Sequence, residues 1–157
     1  MSESINTSQN RVHSTVLSVQ TLFEGFKKPR PFLKWAGGKT QLIGEIEKRL
    51  PPEVFSDKFT YVEPFAGSGA VLFWMLNNFP NLERAVINDV NADLINTYRR
   101  IKTAPQTLVE ILKDFQAEFH ALDREEEKKK AYYYEKRDCY NTRQSEKSVQ
   151  AALFIFD

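Results

Sequence analysis

The sequence predicts an α/β domain in which a parallel sheet is flanked by helices. Strand-like and helix-like segments alternate through the middle of the chain, and the helix after the first strand is apolar on nearly every side. Composition agrees with this fold class, because 41% hydrophobic and 27% charged residues among 157 are typical of a globular domain with one core.

The first half of the domain shows two strand–helix units. Apolar residues at helical spacing over Gln41–Leu50 predict a short amphipathic helix that ends before Pro51-Pro52. Phe59–Glu63 (FTYVE) has strand chemistry, and Ala70–Asn78 reads as a helix that lies on the sheet.

The second unit begins with the strand Ala85–Asn88, which brings Asp89 to its carboxyl end, and continues in the helix Ala92–Ile101. Two such units in succession imply a parallel sheet.

The remainder is predicted to be helical. An apolar stripe predicts a long helix over Pro105–Leu122, and Arg124–Tyr140 predicts a second helix with a charged, solvated face. Glutamates in that helix precede lysines by four residues, which favours ion pairs. Tyr132–Tyr134 either pack within the protein or stack on bases. The apolar run Val149–Asp157 needs a partner surface.

Three regions follow from these patterns: a mobile leader at 1–26, an α/β core at 27–104 and a helical segment at 105–157. The leader prediction rests on Met1–Gln20, which is rich in Ser, Thr, Asn and Gln. No segment has the length of an apolar membrane span, and no secretory signal pattern is present, so we expect a cytosolic protein without membrane contact.

Charge and cysteine content exclude several classes of site. The formal net charge is only +1, so a polyanion partner must be argued from local charge. Cys139 is the single cysteine, which excludes an internal disulfide and a cysteine-based zinc site. His13 and His120 have no accompanying ligand pattern, and we expect no metal.

A glycine turn after the first strand is the first chemical motif. Gly67 and Gly69 allow a tight bend that brings backbone amides close to a ligand, and Asp89 lies 20 residues beyond Gly69 at the next strand end. A carboxylate there accepts ribose hydroxyls. Leu72 replaces the third glycine of the dinucleotide fingerprint, which favours a nucleoside without pyrophosphate. The alternative for Asp89 is an N-cap on the following helix.

The second motif is the basic segment Arg30–Thr40. Its Gly38-Lys39-Thr40 ending resembles a P-loop, but a P-loop requires glycine where this chain has Leu33. Between Gly25 and Gly44 lie five basic residues and no acidic one, a local charge suited to phosphate or a ligand carboxylate. Trp35 beside the Gly-Gly turn supplies a flat ring suited to a binding wall.

Three segments together resemble the amino-terminal part of Dam-type (D12 class) DNA adenine methyltransferases. They are Phe32–Lys39 (FLKWAGGK), Val62–Gly69 (VEPFAGSG) and Asn88–Ile95 (NDVNADLI). The resemblance implies a seven-stranded, Rossmann-like methyltransferase fold, S-adenosylmethionine as donor and adenine in duplex DNA as acceptor. The helical segment at 105–157 would then begin the target-recognition region.

Site residues are carried over by position. The S-adenosylmethionine pocket would contain Trp35, Lys39, Phe65, Gly67, Gly69 and Asp89. Within it, Asp89 would hold the ribose hydroxyls. Lys34 resembles a residue that faces DNA at the pocket mouth.

The chain departs from the family at the catalytic loop. The family holds the flipped adenine with an Asp/Asn-Pro-Pro-aromatic tetrapeptide, whereas the Pro-Pro of this chain, Pro51-Pro52, is flanked by Leu50 and Glu53. Cytosine-ring methylation is disfavoured, since Cys139 does not follow proline. We therefore expect a truncated, inactive fragment with no catalytic residue of its own. The alternatives are a non-catalytic S-adenosylmethionine-binding module and one half of a split methyltransferase.

Overall fold

A computed structural model describes residues 28–35 and 37–156, and the predicted leader at 1–26, with His13, lies outside them. The helices are α1 (Ile43–Glu47), α2 (Ala70–Asn78), α3 (Ala92–Thr103), α4 (Pro105–Ala121), α5 (Glu126–Thr142) and α6 (Lys147–Phe156). The strands are β1 (Phe59–Glu63) and β2 (Leu82–Ile87). Short 3₁₀ turns cover Lys39–Leu42 and Pro52–Phe55.

The two strands pair in parallel, which confirms an α/β fold with a small parallel sheet. Cα partners run from Thr60 and Arg84 to Glu63 and Ile87, with an irregularity after Phe59. β2 begins three residues before the predicted strand, because pairing with β1 extends the ladder through Arg84 to Leu82. Within the described part of the chain the sheet has these two strands.

The predicted helix over Gln41–Leu50 is wrong in its extent. It starts as a 3₁₀ turn, and its α-helical part ends at Glu47. The N–H groups of Arg49 and Leu50 instead bond to carbonyls three residues back, at 2.9 and 3.2 Å. A central glycine and the absence of any fully buried residue in this helix explain its short length.

One core cluster packs α2 against the sheet. Its buried members are Val71, Met75 and Phe79. The rings of Phe59 and Trp74 meet Phe79 edge-on, with centroids 5.9 and 5.2 Å apart. Burial of this apolar side is what holds α2 against the sheet.

A second core cluster joins the carboxyl-terminal helices. Leu108 and Phe115 of α4 pack against Ala151, Ala152 and Leu153 of α6, all of them buried. The apolar run at 149–157 was expected to need a partner surface, and over the described residues this surface lies within the chain: α6 contacts α3, α4 and α5.

The charged helix α5 differs from its prediction in the ion pairs. Glu125 bonds Lys128 at 2.7 Å and Glu126 lies 3.8 Å from Lys129, so the observed spacing is three residues rather than four. Tyr132 packs within the protein, because its hydroxyl donates to the Glu118 carboxylate at 2.6 Å.

Among the described residues, no helix is both long enough and apolar enough to cross a membrane. The cytosolic location and the boundaries of the three predicted regions stay predictions.

Candidate cofactor site

The loops that follow β1 and β2 meet at the carboxyl edge of the sheet. The N–H of Ala66 donates to the carbonyl of Asn88 at 2.9 Å, and the N–H of Asn88 donates to the carbonyl of Glu63 at 2.8 Å. The carboxyl edge of a parallel sheet, between the first helices, is where open α/β folds bind ligands. The glycine turn and Asp89 are therefore brought together as the sequence predicts.

Asp89 is held in place by backbone amides on both oxygens. Its Oδ2 accepts from the N–H of Gly67 at 2.9 Å, and its Oδ1 accepts from the N–H of Asn91 at 3.0 Å. The N-cap of α3 is Asn91, whose Oδ1 accepts from the N–H of Leu94 at 3.0 Å. The alternative N-cap role of Asp89 is therefore wrong.

These contacts also keep the Asp89 carboxylate charged. The N–H of Asn91 lowers the pKa of Asp89 below its ordinary value, burial opposes this effect, and the N–H of Gly67 and the charge of Lys39 add to the lowering. Each carboxylate oxygen retains capacity for a further hydrogen bond, so the group is a fixed anionic acceptor.

Lys39 is fixed by an acidic residue that the sequence analysis missed. Its Nζ lies 2.8 Å from Oε1 of Glu63 and also donates to the carbonyl of Phe65. The Glu63 side chain is 5% exposed, and its Oε2 has no hydrogen-bond partner among the described residues. A carboxylate at the end of a mostly apolar strand was the available signal, since a buried charge requires a partner.

The glycine turn is clamped by Tyr98, a second missed residue. Its hydroxyl donates to the carbonyl of Gly67 at 3.2 Å, and Phe32 meets its ring edge-on at 5.5 Å. Gly69 has φ +78°, and a Cβ there would lie 2.4 Å from the Tyr98 hydroxyl oxygen. Only glycine fits this position without strain and collision.

Trp35 covers the turn from the opposite side. A Cβ on Gly67, whose φ is +51°, would lie 3.4 Å from Cδ1 of the indole. The indole also approaches Phe154 of α6, with ring centroids 6.3 Å apart. Trp35 is thus a packed wall rather than a free surface ring.

A cavity of about 170 Å³ forms between these groups. Among the predicted pocket residues, those that line it are Trp35, Lys39, Phe65, Gly67 and Asp89. Gly69 lies outside the lining and shapes the turn instead. Ligand pockets usually enclose about 300–1,000 Å³, so a nucleoside with an amino acid tail would extend beyond this cavity, alongside the exposed ring of Phe65.

The donors and acceptors of the cavity fit one class of ligand. Asp89 offers a fixed anionic acceptor, Lys39 offers a cation, and the indole of Trp35 offers a flat apolar wall. A nucleoside that carries a charged amino acid group matches all three.

Residues 35–156 match the family of D12 class N6 adenine-specific DNA methyltransferases. The chain belongs to this family. Known relatives support the same family assignment. The chain is 42% identical over 130 residues to the type II methyltransferase M.MjaIII of Methanocaldococcus jannaschii, a match that covers 81% of this chain and 44% of the relative.

Two further relatives show the same pattern. A DNA adenine methylase of Haemophilus influenzae is 40% identical over 82% of this chain and 40% of its own length. The type II methyltransferase M1.LlaDCHI of Lactococcus lactis subsp. cremoris is 45% identical over 57% of this chain and 28% of its own length. The chain thus spans less than half the length of the curated relatives that it matches.

The predicted DNA-facing residue Lys34, and the rejected candidates His120 and Cys139, lie outside this cavity. Lys34 is exposed and does not line it. His120 of α4 and Cys139 of α5 are exposed as well. Over residues 28–35 and 37–156, no group of three or more His, Cys, Asp or Glu side chains could hold a metal ion.

Proposed function

We propose that this D12-class chain is the cofactor-binding part of an adenine-specific DNA methyltransferase. The reaction moves a methyl group from S-adenosylmethionine to the exocyclic amine of adenine in duplex DNA. One observation carries the proposal: Trp35, Lys39, Phe65, Gly67 and Asp89, distant in sequence, line a single cavity at the carboxyl edge of the sheet.

The nucleoside end of the ligand is assigned to Asp89 and Trp35. Asp89 accepts hydrogen bonds from the ribose hydroxyls, because its two oxygens are already oriented by amides and still have free lone pairs. Trp35 supplies an apolar wall, and Gly67 keeps the backbone close to the ligand.

The amino acid end of the ligand is assigned to Lys39. An ammonium has three N–H donors, and two of them are directed at Glu63 and at the carbonyl of Phe65. One donor is left for a ligand carboxylate. Glu63 therefore acts as a positioning residue, since it sets where the Lys39 ammonium lies.

Bound S-adenosylmethionine would supply the activated methyl group, while the acceptor must be positioned by other groups. Holding two reactants in the right geometry contributes effective molarities that reach about 10⁵ M or more. The sequence has no Asp/Asn-Pro-Pro-aromatic tetrapeptide to hold a flipped adenine. We therefore expect this 157-residue chain by itself to transfer no methyl group.

The same observation fits two alternatives: a module that only binds S-adenosylmethionine, and one half of a split methyltransferase whose partner is a carboxyl-terminal half. Duplex DNA would be the partner of the complete enzyme, with Lys34 near a backbone phosphate. The exposure of Lys34 and its neighbours Lys28 and Arg30 supports this placement.

Methyl transfer can be tested with labelled S-adenosylmethionine and unmethylated duplex DNA. The chain alone should leave the DNA unlabelled. Addition of the carboxyl-terminal remainder of the M. jannaschii relative should restore transfer if the chain is half of an enzyme, and an Asp89→Ala chain should fail in the same mixture. Labelling by the chain alone would contradict the assignment of the acceptor site to residues that this sequence lacks.

A further inference from the structure

A second, larger cavity lies on the other side of α3 from the glycine turn. It encloses about 530 Å³ between α3, the α5–α6 loop and the start of α6. Its charged lining residues are Asp93, Arg99, Arg100, Arg143 and Lys147, which gives the lining a formal charge of +3. No sequence motif predicted this cavity, because its cations come from separate helices.

One ion pair neutralises part of this charge. Asp93 accepts hydrogen bonds from Arg143 and from the hydroxyl of Tyr140, the latter at 2.8 Å. The other three cations, Arg99, Arg100 and Lys147, have no ion pair among the described residues. Excess positive charge is thus concentrated in a concave site.

Buried polar atoms at the same site are left unsatisfied. Nε of Arg100 and Oε1 of Gln150 are both buried without a hydrogen-bond partner among the described residues. Gln150 is 8% exposed, and its Nε2 donates to the carbonyl of Tyr140 at 3.1 Å. A buried guanidinium donor without a partner is costly, and Arg100 itself lines the cavity.

The helix terminus beside the cavity does not supply the site. Glu146 accepts from the N–H of Ser148 at 2.7 Å and so occupies the start of α6 with its own carboxylate. Any anion in the cavity must therefore be bound by side chains. Guanidinium groups with several N–H donors, together with an ammonium, match the oxygens of a phosphate group.

We propose that this cavity binds a phosphate group through Arg99, Arg100 and Lys147. Two sources are possible, a free phosphate-bearing molecule and a phosphate of the DNA backbone. The proposal does not rest on methyltransferase activity, since inorganic phosphate alone probes the cavity.

The first experiment titrates the full chain with inorganic phosphate and follows backbone amide resonances by NMR. We expect saturable shifts at Arg99, Arg100 and Ser145–Lys147. The double variant Arg99→Gln/Lys147→Gln should weaken this binding about tenfold or more, because it removes charged hydrogen bonds to the phosphate oxygens. Both side chains are exposed and without ion pairs, so the fold should persist.

A matched control removes the same charge elsewhere. Lys113 and Lys130 are exposed, lie outside the cavity and have no ion pair among the described residues. The variant Lys113→Gln/Lys130→Gln should bind phosphate as the parent chain does. Absence of saturable shifts in the parent, or equal losses in both double variants, would overturn the site.

The second experiment uses a short DNA duplex to identify which source of phosphate the cavity binds. If the site takes a backbone phosphate, the duplex displaces inorganic phosphate. The Arg99→Gln/Lys147→Gln variant then also lowers the slope of log affinity against log salt by about 0.9 for each DNA phosphate that is no longer neutralised. If the duplex neither displaces phosphate nor loses affinity in that variant, the site takes a free phosphate-bearing molecule.

Discussion

The carboxylate of Asp89 accepts a hydrogen bond from the backbone N–H of Gly67, with 2.9 Å between Oδ2 and the nitrogen. This bond joins the loop after β2 to the loop after β1, so each strand–helix unit orients the other. It also fixes an anionic acceptor in the lining of a cavity that Trp35 lines as well. The candidate cofactor site is therefore assembled by the parallel pairing of two strands rather than by one motif.

The glycine turn should tolerate no side chain at Gly69. In Gly69→Ala the Cβ would lie 2.4 Å from the Tyr98 hydroxyl at a φ of +78°. We expect a loss of about 2–4 kcal/mol in the free energy of unfolding, from backbone strain and overpacking together. Urea denaturation followed by circular dichroism measures it.

Gly37 provides the matched control. Its φ is +74°, but a Cβ there would have no atom within 4 Å. Gly37→Ala should cost about 1–2 kcal/mol from backbone strain alone. Equal losses of unfolding free energy in the two variants would show that a steric clash with Tyr98 does not contribute to the loss.

The ion pair of Lys39 and Glu63 should be worth more than a surface pair. The Glu63 side chain is 5% exposed and that of Lys39 is 34% exposed, so the pair lies between the buried and exposed limits. Lys39→Met should cost about 2 kcal/mol, since it leaves the Glu63 carboxylate unpaired. Denaturant unfolding of the single variant gives this value.

The double variant Lys39→Met/Glu63→Gln tests whether the unpaired charge of Glu63 causes this loss of stability. Removing the buried charge as well should recover most of the lost stability, because an unpaired charge costs more than a neutral amide. A double variant as unstable as Lys39→Met would mean that the loss comes from packing.

Stability should depend on pH through Asp89. The N–H of Asn91 lowers the pKa of Asp89 in the folded chain below its ordinary value of 3.8. A carboxyl whose pKa is depressed on folding stabilises the protein above its unfolded pKa, and this contribution is lost as the pH falls through the folded value. Asp89→Asn should therefore be less stable than the parent at neutral pH.

The difference in unfolding free energy between the parent and Asp89→Asn should shrink as the pH falls below 3.8, the ordinary pKa of this carboxyl. Denaturant unfolding of both proteins from neutral to acidic pH gives this difference directly. The subtraction removes the acid sensitivity of Glu118 and Glu146, whose carboxyls also have lowered pKa values. A difference that is constant with pH would contradict a charged, amide-bound Asp89.

The last helix, α6, should stabilise this chain because it packs into the core. Leu153 is 2% exposed and packs against Leu108 and Phe115 of α4. Leu153→Ala should lower the free energy of unfolding by about 2–5 kcal/mol. The same truncation at Leu76, which is 48% exposed, should cost about 1 kcal/mol or less. Similar values at both positions would mean that α6 does not belong to the core.

The sequence predicts the positions of the elements well where the signal is local. Pro105 at the first position of α4 and the apolar stripe that follows it give that helix nearly to its last residue. The start of β2 was missed, because Glu83 and Arg84 carry no strand signal, and pairing with β1 extends the ladder through Arg84 to Leu82. Pairing between distant segments decides such boundaries.

The residues of the candidate site also fall into those that local sequence signals predict and those that only the fold brings together. Gly67 and Asp89 could be predicted from their place after a strand, and Trp35 and Lys39 from the family motif. Tyr98 could not, because on a helix it is spaced like any core residue, and only the fold brings its hydroxyl to Gly67.

Binding of S-adenosylmethionine to the purified 157-residue chain, measured by isothermal titration calorimetry, tests the central claim most directly. We expect weak binding, which weakens further in Trp35→Ala and Asp89→Ala and is unchanged in the surface variant Lys113→Gln. No binding at millimolar ligand by a folded chain, or an affinity unchanged in Asp89→Ala, would contradict the assignment of this cavity to the cofactor.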